Sequence, residues 1–160
     1  MRIRYRRDRE DRTDYRRRLT LLKSGKPRLA VRRSLDNIVV SLIGFDPDGD
    51  RVIASFHSAS LKKRGWKHGT GNIPAAYVTG YLAAKAAQEK GVSEAILDIG
   101  RFAPVKGSRV FAALKGAIDA GLDIPHSEEA LPKEERLFGE HIKAHLGTDI
   151  RADVTKIIGA

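Results

Sequence analysis

The stretch Pro74-Ala-Ala-Tyr-Val-Thr-Gly-Tyr-Leu-Ala-Ala-Lys-Ala-Ala-Gln-Glu-Lys90, followed after Gly91 by Glu94-Ala-Ile-Leu-Asp-Ile-Gly100, sets the fold class. Proline in the first turn suits a helix start, and the many alanines with Val78, Tyr81 and Leu82 suit a helix lying close on a sheet. Gly91 stops it, and the apolar run Glu94–Gly100 reads as a compact buried strand. Beyond it, Ser108 to Ala120 reads as a second helix, capped by Ser108 and ended by Gly121. Before it, Leu29–Arg33, Asn37–Gly44 and Arg51–His57 are rich in Val and Ile and alternate, which predicts three strands. Hairpin strands followed by helix, strand and helix predict an α/β sandwich on a mixed sheet.

Between the second and third strands lies Asp46-Pro-Asp-Gly-Asp50. Alternating acids before a glycine suggest a calcium loop. The downstream ligands and the bidentate Glu of such a loop are missing, however, and Pro47 with Gly49 favours a hairpin turn. Residues 126–160 are polar with one helical stretch near Glu134–His145 and read as a surface appendage. Residues 27–125 form the α/β body, and residues 1–26 a basic arm and helix.

Charge separates the arm from the rest. Residues 1–33 carry fourteen Arg or Lys against four Asp or Glu, a net of +10, which is the formal charge of the whole 160-residue chain. Whole-chain totals of 30 basic and 20 acidic residues leave sixteen of each sign for the remainder. A one-sided excess of this kind is the footprint of a polyanion site, and guanidinium forks match phosphate oxygens. Tyr15, Leu19 and Leu22 fall on one helical face, which predicts a short docked helix with Thr13 as N-cap and a stop at Gly25 and Pro27. Asp8 with Arg12, and Asp14 with Arg18, are spaced to support it. The arginines ahead of it have nothing to bury and read as an extended arm, disordered until RNA neutralises it.

The arm's candidate RNA-binding residues are Arg2, Arg4, Tyr5, Arg6, Arg7, Arg9, Arg12, Tyr15, Arg16, Arg17, Arg18, Lys23 and Lys26, continued by Arg28, Arg32 and Arg33 at the first strand. A second basic cluster runs from Lys62 to Asn72, with Lys62, Lys63, Arg64, Lys67, His68 and the only tryptophan, Trp66. Its glycines allow close backbone approach to phosphates, and Trp66 offers a face to an unpaired base. The competing reading is an ordinary loop whose Trp tucks against the core. A third cluster, Lys106 and Arg109 around Ser108, opens a helix and could hold a phosphate, although capping alone explains Ser108.

Catalytic patterns are missing. There is no cysteine, hence no disulfide or thiolate metal site, and no G-x-S-x-G or H-E-x-x-H. The five histidines form no metal pattern; His141 and His145 share a helical spacing but lack a third ligand. Asp98, at a strand end, is placed like a catalytic acid but has no converging carboxylates. It reads as a structural hydrogen-bond acceptor, and a metal-dependent nuclease is the rival that it would have to support. A generic RNA chaperone is the other rival. No apolar leader or membrane span is visible, so a cytoplasmic protein is expected. No cofactor and no metal are expected.

Several runs carry a resemblance: Ser24–Arg33, His68-Gly-Thr-Gly-Asn-Ile-Pro-Ala-Ala-Tyr-Val-Thr-Gly80, Leu97–Gly100, Lys106-Gly-Ser-Arg-Val-Phe-Ala-Ala-Leu-Lys-Gly116, Asp119–Ser127 and Glu135–His141. In that order, over residues 12–145, the chain resembles the 5S-rRNA-binding protein family of the archaeal and eukaryotic large ribosomal subunit, universal number eighteen, in its archaeal form. The resemblance implies a non-enzymatic ribosomal protein that attaches 5S rRNA to the large-subunit rRNA in the central protuberance, beside neighbouring ribosomal proteins and not as a homo-oligomer. It further implies a ribonuclease-H-like α/β topology, that of translational machinery components, without the nuclease carboxylates.

Overall fold

Strict alternation in the second strand decides how the body is layered. In the computed structural model, which describes residues 3–159, β1 (Arg28–Arg33), β2 (Ile38–Gly44) and β3 (Arg51–His57) form an antiparallel meander. β4 (Ile96–Asp98) adds parallel to β1, giving the order β3-β2-β1-β4. Ile38, Val40 and Leu42 point to one face with Leu29, Val31 and Ala54, all buried. The opposite face carries Arg28 and Arg32 from β1, Ser41 and Ser55 joined through their hydroxyls at 2.8 Å, and Asp98 from β4. The expected α/β architecture on a mixed sheet is thus present.

The apolar face is covered by α3 (Ile73–Gln88) and α4 (Arg109–Asp119). Asn72 caps α3, its side-chain oxygen accepting from the Ala75 amide at 2.8 Å, with Pro74 in the first turn. Alanines and glycines let the two helices approach until backbones touch. A Cβ built on Gly80 would lie 2.0 Å from the Ala113 carbonyl oxygen, and one on Gly116 would lie 2.0 Å from that of Tyr77. Just beyond this crossing, the Tyr77 hydroxyl donates to Asp119 at 3.0 Å. Burial and the neighbouring Asp119 charge push this phenol well above its usual range.

Four expectations need correction. The strand expected over Glu94–Gly100 is only three residues long, because Glu94 and Ala95 pair instead with Asp123 after α4, and Gly100 turns the chain at φ 62°. Ser108 stands at the cap position of α4, but its side chain makes no capping hydrogen bond. The basic loop after β3 begins as a 3-10 helix over Ser58–Arg64 that ends at Gly65 in the left-handed region. The segment after Pro125 is more than a surface appendage. It forms α5 (Glu134–Leu137), α6 (Glu140–Leu146) and an unforeseen α7 (Arg151–Ile158), and it buries Leu137, Ile150, Val154 and Ile157 in the main core. Their apolar side chains are sparse in a polar stretch, so periodicity alone is weak there.

Candidate nucleic-acid interface

Residues ahead of β1 fold onto the polar face of the sheet. α1 (Arg6–Arg9) is a single helical turn where an extended arm was expected, and Arg6 pairs with Glu10 at 2.8 Å. α2 (Tyr15–Leu22) follows, capped not by Thr13 but by Asp14, whose carboxylate accepts from the Arg16 and Arg17 amides at 3.0 and 3.1 Å. Those amide bonds, the Arg17 one foremost, hold the Asp14 carboxyl below its ordinary range. Thr13 is taken up by Arg7, whose Nε donates to its hydroxyl at 3.0 Å.

Of the face that apolar spacing indicated, Tyr15 and Leu22 are half-buried, but the polar contacts come from the neighbouring Arg17 and Arg18. Leu19 stays 57% exposed, while Arg17 donates to the Gly100 carbonyl at 3.1 Å and Arg18 pairs with Asp50 at 2.8 Å. The sheet face beneath the helix offers carboxylates and carbonyls beside Ile43, so the arginines find partners there. Neither local ion pair expected within the arm forms. Arg12 sits 3.3 Å from Glu10, and Arg101 reaches Asp11 at 2.8 Å and Asp8 at 4.0 Å. Tyr5, 65% exposed, lies against Tyr15 with ring centroids 5.1 Å apart.

Under α2, Arg28 and Arg32 of β1 are tied into the fold. Arg28 is only 4% exposed and donates to Asp98 at 3.0 Å and Asp50 at 2.7 Å. Arg32 reaches the Asp98 carboxylate at 3.2 Å and its carbonyl at 2.7 Å. Asp98, 6% exposed, also accepts from the Gly100 amide at 2.8 Å. Burial pulls its pKa upward, but Arg32, that amide and Arg28 together carry it below the ordinary carboxylate value. A carboxylate so engaged fills the role of structural acceptor. Arg28 is thereby held inside the protein, with both terminal nitrogens bonded to carboxylates. Arg33 lies over the Phe102 ring, 4.7 Å from its centroid, and Lys26 pairs with Glu94.

The second cluster splits. Lys62, Lys63 and Arg64 at the end of the 3-10 helix, and Lys67 beyond it, face solvent. Arg64 packs over Phe56. Trp66 is not a stacking platform: it is 3% exposed and its indole N–H donates to the Gly69 carbonyl at 3.1 Å. A large apolar ring with one donor is better buried with that donor satisfied. His68 meets the Trp66 ring edge-on and bonds Asp153 of α7 at 2.8 Å, so it ties two segments together. In the third cluster Arg109 spends Nη1 on the carbonyls of Ser34, Leu35 and Gly71, and Lys106 pairs with Glu129. Arg109 therefore acts as a staple of the β1–β2 turn.

Among the described residues, Arg9, Arg16, Lys23, Lys62, Lys63 and Lys67 are exposed cations with no carboxylate within 4.0 Å in this structure. Arg4 is exposed as well, and Arg2 lies outside the described residues. Residues that sequence reasoning missed are Asp50, Arg101 and Asp153, each a partner across the fold. Only Arg28 and Arg32 were legible as sharing a sheet face with Ala30, through the period of two.

Two comparisons bear on this arrangement. The family described as "Ribosomal large subunit proteins 60S L5, and 50S L18" matches residues 1–92 and 85–127. The chain is also 59% identical over 140 residues to the large ribosomal subunit protein uL18 of Korarchaeum cryptofilum (strain OPF8), covering 88% of this chain and 72% of that protein.

Proposed function

We propose, from the premise that this chain belongs to the family of large-subunit ribosomal proteins 60S L5 and 50S L18, that it binds 5S rRNA and attaches it to the large-subunit rRNA in the central protuberance. As a member of that family it is a structural, non-enzymatic part of the large ribosomal subunit. The observation that carries the RNA reading is the confinement of the whole net charge of +10 to residues 1–33. Geometry adds to it. α2 is pinned beside the sheet by Arg17 and Arg18, which leaves Arg16 and Lys23 outward, with Arg9 of α1 exposed as well. Exposed Tyr5 beside Tyr15 offers a ring to a sugar or base.

In this reading residues 1–26 are the RNA-binding unit and residues 27–125 the body that spaces it from Lys62, Lys63, Arg64 and Lys67, the second contact. Residues 126–160 close the core and face neighbouring proteins. The antiparallel meander extended by a parallel β4 supports a ribonuclease-H-like topology. The engagement of Asp98 by two arginines speaks against the nuclease rival.

Competition binding of the full chain to 5S rRNA, tRNA and an RNA duplex of similar length tests the proposal. The expected preference for 5S rRNA is about a hundredfold or more, about 2.7 kcal/mol. Equal binding to all three would favour a generic RNA chaperone. Deleting residues 1–26 is expected to abolish tight binding, and retained tight binding would contradict the assignment of the arm.

A further inference from the structure

A cavity of about 210 Å³ lies where the arm and α2 meet the polar face of the sheet. Six arginines, Arg7, Arg12, Arg17, Arg18, Arg28 and Arg32, line it. Three aspartates, Asp14, Asp50 and Asp98, share the lining, leaving a positive excess of three that Glu10, 3.3 Å from Arg12, offsets in part. Those carboxylates are already spent. Asp14 caps α2, Asp50 is shared by Arg18 and Arg28, and Asp98 is shared by Arg28 and Arg32. Arg7 and Arg17 have only neutral oxygen acceptors, the Thr13 hydroxyl and the Gly100 carbonyl. Behind the lining, Arg28 Nε is fully buried and has no acceptor. An orphaned buried guanidinium N–H is costly, and donors in excess around a space this large call for an oxyanion.

We propose that this cavity is a seat for one tetrahedral phosphate group, occupied in the ribonucleoprotein by a backbone phosphate of the bound RNA. The choice of RNA backbone as occupant rests on the RNA-binding function proposed for the chain; the chemistry of the seat does not. Arg7 and Arg17 supply the unspent fork donors. The arrangement differs from the outward cations in selectivity. Surface lysines answer to charge alone, whereas a cavity walled by forks selects a compact oxyanion over chloride.

Thermal unfolding of the full chain tests the seat, comparing inorganic phosphate with sodium chloride at matched ionic strength. Phosphate is expected to raise Tm above the chloride value, because a ligand that binds only the folded state stabilises it. Phosphate also stabilises proteins by exclusion from their surfaces. The decisive quantity is therefore the part of the increment lost in Arg7→Gln/Arg17→Gln and kept in the charge-matched control Lys133→Gln/Lys156→Gln. An increment equal in all three proteins overturns the proposal.

A second arm identifies the occupant. With RNA bound at saturation, the site-specific phosphate increment is expected to vanish, and Arg7→Gln/Arg17→Gln to weaken RNA binding by about tenfold. Persistence of that increment on the RNA-bound protein would overturn the backbone-phosphate assignment. If 5S rRNA preference fails while the increment stands, the RNA reading falls and the seat does not.

Discussion

Arg28 Nη1 and Asp98 Oδ2 lie 3.0 Å apart, both residues nearly inaccessible, at the parallel junction of β1 and β4 beneath α2. Neither charge has water to fall back on: Arg28 is tolerated because of Asp98 and Asp50, and Asp98 because of Arg28, Arg32 and the Gly100 amide. Asp98→Ala is expected to destabilise the protein by about 3–5 kcal/mol, most of it from the uncompensated Arg28. Urea denaturation at neutral pH checks this, and a loss under about 1 kcal/mol would mean that Asp50 alone holds Arg28.

The same carboxylate makes stability depend on acidity. Its folded pKa lies below the ordinary value, despite burial, because of Arg32, the Gly100 amide and Arg28. A depressed carboxylate stabilises fully above its unfolded pKa of roughly 3.9, and that contribution is lost as pH falls below this value through the folded one. Asp98→Asn is expected to flatten the stability profile below pH about 4 relative to the native protein. Identical acid slopes in the two proteins would remove Asp98 from the acid transition.

At the α3–α4 crossing there is no space for a methyl group. Gly80→Ala or Gly116→Ala would place a carbon 2.0 Å from a carbonyl oxygen. The helices must then separate, at an expected cost of about 3 kcal/mol or more, at the upper end of ordinary overpacking. Gly69→Ala meets nothing within 4 Å and serves as the control, expected within about 0.5 kcal/mol of the native protein.

The tryptophan and the lysines of the second basic cluster should part company experimentally. Trp66→Ala is expected to cost about 3–5 kcal/mol of stability, since the ring is core. Lys62→Gln/Lys63→Gln should leave stability unchanged while weakening RNA binding and reducing the logarithmic salt slope by about 1 for each phosphate no longer neutralised. Salt-dependent binding isotherms separate the two effects, and an unchanged slope would remove these lysines from the interface.

Loss of α7 should be felt at a distance. Deleting residues 148–160 uncovers the sites of Ile150, Val154 and Ile157 and frees His68 from Asp153. With roughly 1.5–3 kcal/mol for each buried side chain, a destabilisation of about 4 kcal/mol or more is expected. A truncated chain of native stability would restore the segment to the status of a surface appendage.

Local patterns in the sequence carried the body. Alternation in Ile38–Gly44 and the capped, alanine-rich α3 state their own conformations, and the charge run states its polyanion chemistry. Relations across the fold were not legible. Arg28 and Arg109 are as basic as Arg16, yet one is bonded to Asp98, seventy residues on, and the other to three carbonyls, while Arg16 faces solvent. Composition assigns all three to the same role, and only tertiary pairing separates them. Trp66 is the same case: indole suits both a base platform and a core, and the acceptor at Gly69 that decides between them comes from the folded loop.

The pairing of β1 with β4 also has a temporal side. Arg28 leaves the peptide-synthesis machinery seventy residues ahead of its partner Asp98. At about 5–20 residues per second, that is an interval of roughly 4–14 s. Throughout it the central strand of the sheet has only its hairpin neighbour, and the arginines of the arm and β1 lack the Asp98 counter-charge. A nascent chain in that state carries the protein's full positive charge among abundant polyanions, before the fold that sorts structural from outward-facing cations is complete. During that interval the cations of the first thirty-three residues are not yet sorted, and Arg28 and Arg32 carry the same exposed charge as Arg16.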